Sequence, residues 1–215
     1  MSEGTIRQRV VAELEFEPRV NAAHIGVAVA GHVVTLTGYV DSYAERRAAE
    51  LAARRVRGVH GIAQEIEVRL PSGKRLADDE IAGRAIKIIA WDSSLPEGQI
   101  QVRVRQGLVA LTGRVSHYFQ KTAAERAVHK LSGVVGVINQ IDVMPTVIAS
   151  NVKQTIDAAL NRNAEIEANK IQLQVEGAKV TVRGKVDSWH ERDVILAAVR
   201  SIQAVREIED HLEFT

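Results

Sequence analysis

The chain lacks several features that define broad classes of protein. None of its 215 residues is a cysteine, which excludes disulfide bonds, thiolate nucleophiles and thiolate-bound metals. No run of roughly 18 apolar residues occurs, so the sequence predicts no transmembrane helix. The charged, amphipathic start has no continuous apolar segment of the kind found in secretory signals. We therefore expect a cytoplasmic protein, either free or held peripherally at a membrane.

Motifs for catalysis and metal binding are also scarce. The seven histidines include no pair at the H-x-x-x-H spacing of zinc-binding helices. The sequence contains no phosphate-binding loop, dinucleotide fingerprint or nucleophile elbow, and its scattered carboxylates suggest no acid–base pair. With a net charge of +1, the chain is not polybasic in bulk, as nucleic-acid-binding proteins commonly are. We expect a protein that is not an enzyme, with no cofactor, no metal site and no nucleic-acid partner.

A stretch containing a strand, a glycine and a helix start is present three times, at residues 31–50, 106–125 and 177–196. Its glycines, Gly38, Gly113 and Gly184, lie 75 and 71 residues apart. A period of this length, with a whole supersecondary unit inside it, indicates tandem copies of one small domain. We predict three domains, at residues 1–70, 77–144 and 146–215.

Each copy has the same order of apolar patterns. In the first, a helical stripe formed by Ile6, Val10 and Leu14 precedes two alternating strands. Ser42 and Glu45 then form a capping box at the start of a second helix, and a third strand follows. The pattern predicts an α+β fold in which three tandem α-β-β-α-β domains each have a three-stranded mixed sheet with two helices on one face. In the second copy, the residues that mark the first helix are Ile81, Ala85, Ile88 and Ile89.

The recurring residues around the second strand and second helix resemble the BON domain, a family named for osmotically inducible and nodulation-related bacterial proteins. The resemblance covers essentially the whole chain. It implies an α-β-β-α-β fold, no enzyme activity, and a role in phospholipid or membrane-surface binding and in envelope stress. The residues that carry it are Gly38, Val40, Asp41, Glu45 and Arg46; Gly113, Val115, Ser116, Gln120 and Lys121; and Gly184, Val186, Asp187, Glu191 and Arg192.

Each second helix begins with an aromatic residue that is followed, three positions later, by a cation. These pairs are Tyr43 and Arg46, Tyr118 and Lys121, and Trp189 and Arg192. Residues at i and i+3 share a helical face, and helix N-termini favour anions. Tyr and Trp also settle at membrane interfaces. We predict that these pairs bind lipid or a partner; the alternative is that each aromatic covers the end of its own sheet.

Other repeated features suggest further interpretations. Gly38, Gly113, Gly184, Gly58 and Gly133 are predicted to be structural glycines in turns. The open sheet face of the first copy shows only His24, Gly26, Ala28 and Ala30, so a neighbouring surface could pack closely there.

The predicted function is therefore stress-linked attachment to an anionic phospholipid surface or to a membrane-bound protein. One alternative is a protein–protein adaptor or scaffold that self-assembles as a homo-oligomer. Another is a sensor of a small ion or metabolite.

Overall fold

The structure, a computed structural model, describes residues 2–144, 152–161, 170–202 and 204–215. The predicted domain boundary at residue 146 lies outside the described residues.

Every repeat, called a unit below, has the same five elements. Unit 1 contains α1 (Glu3–Phe16), β1 (Ile25–Ala30), β2 (Val33–Val40), α2 (Tyr43–Arg55) and β3 (Gly61–Val68). Unit 2 contains α3 (Asp78–Trp91), β4 (Ile100–Arg105), β5 (Leu108–Val115), α4 (Tyr118–Val128) and β6 (Gly136–Val143). Unit 3 contains α5 (Val152–Asn161), β7 (Ile171–Glu176), β8 (Lys179–Val186), α6 (Trp189–Arg200) and β9 (Glu207–Phe214).

The three sheets share one topology and one register. In each, the first and second strands are antiparallel and the second and third are parallel, so the middle strand is the second in sequence. Leu36 of β2 pairs with Val27 of β1 and Gln64 of β3. The second helix makes the crossover that parallel strands need. The predicted α+β fold with three mixed sheets is confirmed.

Local sequence explains where the helices lie. The apolar stripe of α1, formed by Ile6, Val10 and Leu14, is fully buried against Val34 and Leu36 of the sheet. At the start of α2, the Ser42 hydroxyl accepts a hydrogen bond from the Glu45 N–H at 3.1 Å. The Glu45 carboxylate accepts one from the Asp41 N–H at 3.1 Å, which completes the cap. Ser188 caps α6 in the same way.

The repeated glycines have two different roles. Gly38, Gly113 and Gly184, predicted in turns, instead lie inside β2, β5 and β8, with φ of 109°, 131° and 151°. A Cβ atom at Gly38 would collide with the His24 carbonyl oxygen, so the second strand bends closely around the start of the first. Gly58 and Gly133 follow the second helices with φ of 90° and 87°, the left-handed conformation that suits a helix end.

Candidate functional site

The aromatic residues that begin α2, α4 and α6 all contact the next unit. We call these contacts joint 1–2, at Tyr43; joint 2–3, at Tyr118; and joint 3–1, at Trp189. Tyr43 is only 7% exposed and belongs to the buried core of unit 2, beside residues such as Ile81 and Val134. Its own Arg46 guanidinium lies 5.0 Å from the centre of the ring.

Joint 2–3 is built around a half-buried tyrosine. Tyr118 packs against the cores of both unit 2 and unit 3. Its hydroxyl donates a hydrogen bond of 2.9 Å to the Arg206 carbonyl oxygen, just before β9. Burial raises the pKa of Tyr118 above its usual value, which keeps the hydroxyl a donor.

Joint 3–1 brings the last unit back to the first. Trp189 packs against the core of unit 1, where the Arg54 guanidinium lies 4.7 Å from its ring centre. The Arg192 guanidinium lies 5.2 Å from the same ring centre and pairs with Asp210 at 2.7 Å. Cation–π contacts of this kind contribute about 0.5–2 kcal/mol each.

A column of rings extends the same joint. His60 of unit 1 stacks on His32 at 4.6 Å between ring centres and on Phe214 of unit 3 at 5.0 Å. Phe214 in turn lies 5.1 Å from Trp189. Burial, followed by repulsion from His32, lowers the pKa of His60. The joint therefore includes a titratable group at the contact surface.

These three contacts run head to tail and close into a ring. A heterologous interface that is repeated closes when the rotation between units completes a circle. The three predicted aromatic residues therefore contact neighbouring units of the same chain. Binding of a lipid or an external partner by Tyr43, Arg46, Tyr118, Lys121, Trp189 and Arg192 stays a prediction.

A different helix face carries exposed apolar groups. On α3, Arg84, Lys87, Ile88 and Trp91 line a shallow groove of about 330 Å³. Trp91 is 90% exposed, and Ile88 is exposed as well. These residues occupy positions i, i+3, i+4 and i+7, so they form one stripe beside the buried stripe of Ile81, Ala85 and Ile89.

This surface was not predicted from the sequence. The apolar pattern grouped Ile88 with the buried positions, because both i+3 and i+4 spacings fit a helix. Two features of the sequence could have revealed it. Ile88 and Ile89 are consecutive, so they cannot both point into the core, and Trp91 lies on the same side of the helix as Ile88. Phe16, the last residue of α1, occupies the corresponding place in unit 1 and is 82% exposed.

The open sheet face of unit 1 is exposed at Gly26, Ala28 and Ala30. No described part of the chain packs over these residues. The predicted packing of a neighbour from the same chain is not seen among the described residues, and packing of a second copy stays a prediction.

The described residues contain neither a metal-binding cluster nor a membrane-spanning helix. No described group of His, Asp or Glu side chains is arranged to hold a metal ion. None of the helices in the described ranges is both long and apolar enough to cross a membrane.

Comparisons with known proteins agree with the repeated fold. The model of the BON domain matches residues 2–69, 77–145 and 149–215. Osmotically-inducible protein Y of Escherichia coli (strain K12) is 30% identical over 145 residues, which cover 66% of this chain and 72% of that protein. A solved structure of CdsD, described as a structural protein of the Type III secretion system of Chlamydia trachomatis, covers 97% of this chain and 91% of its own at 10% identity. Its TM-score of 0.27 is too low to support an argument. On the three matches and the E. coli relative, the chain belongs to the BON domain family.

Proposed function

We propose that this chain is a non-enzymatic binding protein that attaches to anionic membrane surfaces during osmotic stress. The stripe formed by Arg84, Lys87, Ile88 and Trp91 on α3, called the α3 stripe below, is its lipid-contacting element. The observation that carries this proposal is Trp91, whose indole is 90% exposed beside a second exposed apolar side chain. Exposed apolar groups that cluster on a surface mark an interaction site.

The residue types of the α3 stripe suit a lipid headgroup region. A tryptophan combines an apolar ring with an N–H donor, which is why it settles at the membrane interface. Ile88 adds apolar area beside it, and Arg84 and Lys87 provide long side chains that reach phosphates. This arrangement matches a helix that lies flat on a bilayer with its apolar edge among the headgroups.

Electrostatic attraction contributes less to membrane binding than insertion of the Trp91 ring and the Ile88 side chain. A basic residue near an anionic leaflet contributes ~1 kcal/mol. Arg84 already pairs with Glu80 at 2.6 Å, whereas no carboxylate among the described residues pairs with Lys87. We therefore expect weak, reversible binding that depends mostly on Trp91 and Ile88.

Family membership and the E. coli relative support the remaining parts of the proposal. The relative's name describes it as osmotically inducible, which favours a stress-linked role for this chain. Membership of the BON family favours binding over catalysis. The cytoplasmic location, and lipid contact through the helix entrances, are retained as proposals. Tyr43 would reach a lipid only after joint 1–2 opens, because its ring is buried there.

Flotation with vesicles tests the lipid proposal. Wild-type protein should float to the top fraction with vesicles rich in phosphatidylglycerol. With vesicles of pure phosphatidylcholine it should stay in the bottom fraction. The double variant Ile88→Ser and Trp91→Ala should reduce the bound fraction about tenfold or more, because it removes the inserted apolar area. Neither residue belongs to a core, so circular dichroism should show an intact fold.

Phe16 provides the matched control. It is a comparably exposed aromatic at the same place in unit 1, but the acidic residues Glu13 and Glu15 precede it in the sequence, with Glu13 at the position of Ile88. Phe16→Ala should therefore leave flotation unchanged. Wild-type protein that ignores anionic vesicles would exclude the proposal and favour the adaptor function. Equal losses in the Phe16 and Trp91 variants would mean that exposed rings act non-specifically.

A further inference from the structure

Joint 2–3 contains a cleft that lies between two helices. A groove of about 490 Å³ at joint 1–2 differs from it, because the end of β3 and neighbouring loops line that groove. α4 of unit 2 and α6 of unit 3 enclose a groove of about 600 Å³. A smaller hollow of about 220 Å³ shares Tyr118, Phe119, Arg200 and Ser201 with it. Together they lie within the size range of small-molecule sites, about 300 to 1,000 Å³.

The floor of this cleft is apolar. Ala123 and Ala127 of α4 face Ala197 of α6 across it, and the small side chains leave the space open. Phe119, which is 56% exposed, and Tyr118 provide two aromatic walls. Such a surface suits a ring or a short aliphatic body better than an ion surrounded by water.

The rim of the cleft is cationic. Arg126 of α4 and Arg200 of α6 both line it, and no carboxylate among the described residues pairs with either guanidinium. Among the described lining residues the acid is Asp92, whose carboxylate accepts hydrogen bonds from the Ser94 hydroxyl and N–H at 2.6 and 3.0 Å. Arginine guanidinium groups bind carboxylates, sulfonates and phosphates through paired N–H donors.

The sequence repeats show that this combination is specific to joint 2–3. Leu51 of α2 and Ala197 of α6 occupy the position of Arg126, and Ala44 and His190 occupy that of Phe119. At joint 3–1 an indole fills the corresponding space, and at joint 1–2 the phenol ring of Tyr43 is buried. The cleft is therefore formed by residues that differ between the repeats, within a backbone that does not.

We propose that the cleft between α4 and α6 binds a small organic anion with an aromatic or aliphatic body, held by Arg126 and Arg200. The body of the ligand rests on the three alanines, between Phe119 and Tyr118. The cleft shares no lining residue with the α3 stripe, although Asp92 at its rim directly follows Trp91.

Two dyes that differ mainly in charge test this inference on the full chain. Anilinonaphthalene sulfonate carries the anion and the aromatic body, and phenylnaphthylamine is its uncharged counterpart. Wild-type protein should bind the sulfonate at one site per chain. The double variant Arg126→Gln and Arg200→Gln should weaken sulfonate binding at least about tenfold and leave the neutral dye unchanged, because only charge-assisted hydrogen bonds are lost.

Matched variants separate this site from the rest of the surface. Arg103→Gln with Arg105→Gln removes two arginines from the open sheet face of unit 2 and should change nothing. Phe16→Ala should also have no effect. Ala197→Trp should block both dyes by filling the groove. Methyl NMR of alanine-labelled protein should show shifts at Ala123, Ala127 and Ala197 on dye addition.

Competition identifies the source of the anion. Displacement of the sulfonate by monomeric decanoate indicates a soluble carboxylate, whereas displacement by phosphatidylglycerol vesicles alone indicates a lipid headgroup; both outcomes support an anion site. Sulfonate binding that survives the double arginine variant, or methyl shifts confined to other alanines, would overturn the proposal. Neither result bears on flotation of the α3 stripe, so the two proposals fail separately.

Discussion

Joints 3–1 and 2–3 have different aromatic residues at the same backbone position, and only joint 2–3 has a cleft beside that residue. At joint 3–1, Trp189 fills the space between the units and Arg54 covers its ring at 4.7 Å. At joint 2–3, the smaller Tyr118 leaves a cleft, and Arg200, the residue that corresponds to Arg54, lines it instead of covering a ring. Ring size at this position does not by itself decide whether a joint is closed, because Tyr43 is buried at joint 1–2. Joint 2–3 also has Phe119 and Arg126, where unit 1 has Ala44 and Leu51.

The two joints also differ in how the chain connects them. Units 2 and 3 are adjacent in sequence, so a linker keeps them close even when their contact breaks. Units 3 and 1 are held only by non-covalent contacts across the full length of the chain. Opening joint 3–1 therefore gains more conformational entropy than opening joint 2–3.

The largest effect should follow from Trp189→Ala. The change removes the ring that fills joint 3–1 and its contacts with Arg54 and Arg192, at a cost of about 3 kcal/mol in the free energy of unfolding. Small-angle scattering should show a larger radius of gyration as unit 3 separates from unit 1. Chemical denaturation measures the loss of stability.

Tyr118→Ala is the comparison for this variant. It removes a half-buried ring and one hydrogen bond, so we expect a smaller loss, about 1–2 kcal/mol, and less expansion. Equal losses and equal expansion in the two variants would contradict the view that joint 3–1 is what closes the ring.

Acidification should weaken joint 3–1 through His60. Burial lowers its folded-state pKa below the unfolded value near 6.5. The folded state then binds fewer protons than the unfolded state as pH falls through this range. The stability that neutral His60 provides is fully present above pH 6.5 and is lost as pH falls from there toward the folded-state pKa.

Unfolding measured between neutral and mildly acidic pH tests this expectation. His60→Phe retains a ring between His32 and Phe214 but cannot take up a proton, so it should flatten part of the decline. His129, whose pKa burial also lowers, should contribute a decline of the same sign that His129→Gln removes. An unchanged profile in the His60 variant would exclude this histidine as the cause.

Most of the fold could be predicted from the sequence because its signals are local. The stripe of Ile6, Val10 and Leu14, the alternation in the strands, and the Ser42 cap each lie within one repeat. Three copies, spaced 75 and 71 residues apart, left one arrangement that fitted all of them. The turn assignment of Gly38 was wrong because a glycine inside a bent strand and one in a turn produce the same sequence signal.

The candidate sites were harder to predict from the sequence, for a different reason. The repeated positions of Tyr43, Tyr118 and Trp189 were visible in the sequence, but their neighbours belong to other units. The cleft joins Arg126 and Arg200, which lie far apart in the chain and in different repeats. Contacts of this kind depend on how the units are arranged, and no periodicity within a repeat encodes that arrangement.

The smallest effect should come from the ion pair at the edge of joint 3–1. Arg57 and Asp187 lie 3.9 Å apart, with side chains 73% and 54% exposed. Water and salt screen such a pair, so Arg57→Ala should change the free energy of unfolding by less than about 0.5 kcal/mol. A double-mutant cycle with Asp187→Ala measures the coupling directly. A coupling above about 1 kcal/mol would mean that charge, rather than the ring of Trp189, holds unit 3 against unit 1.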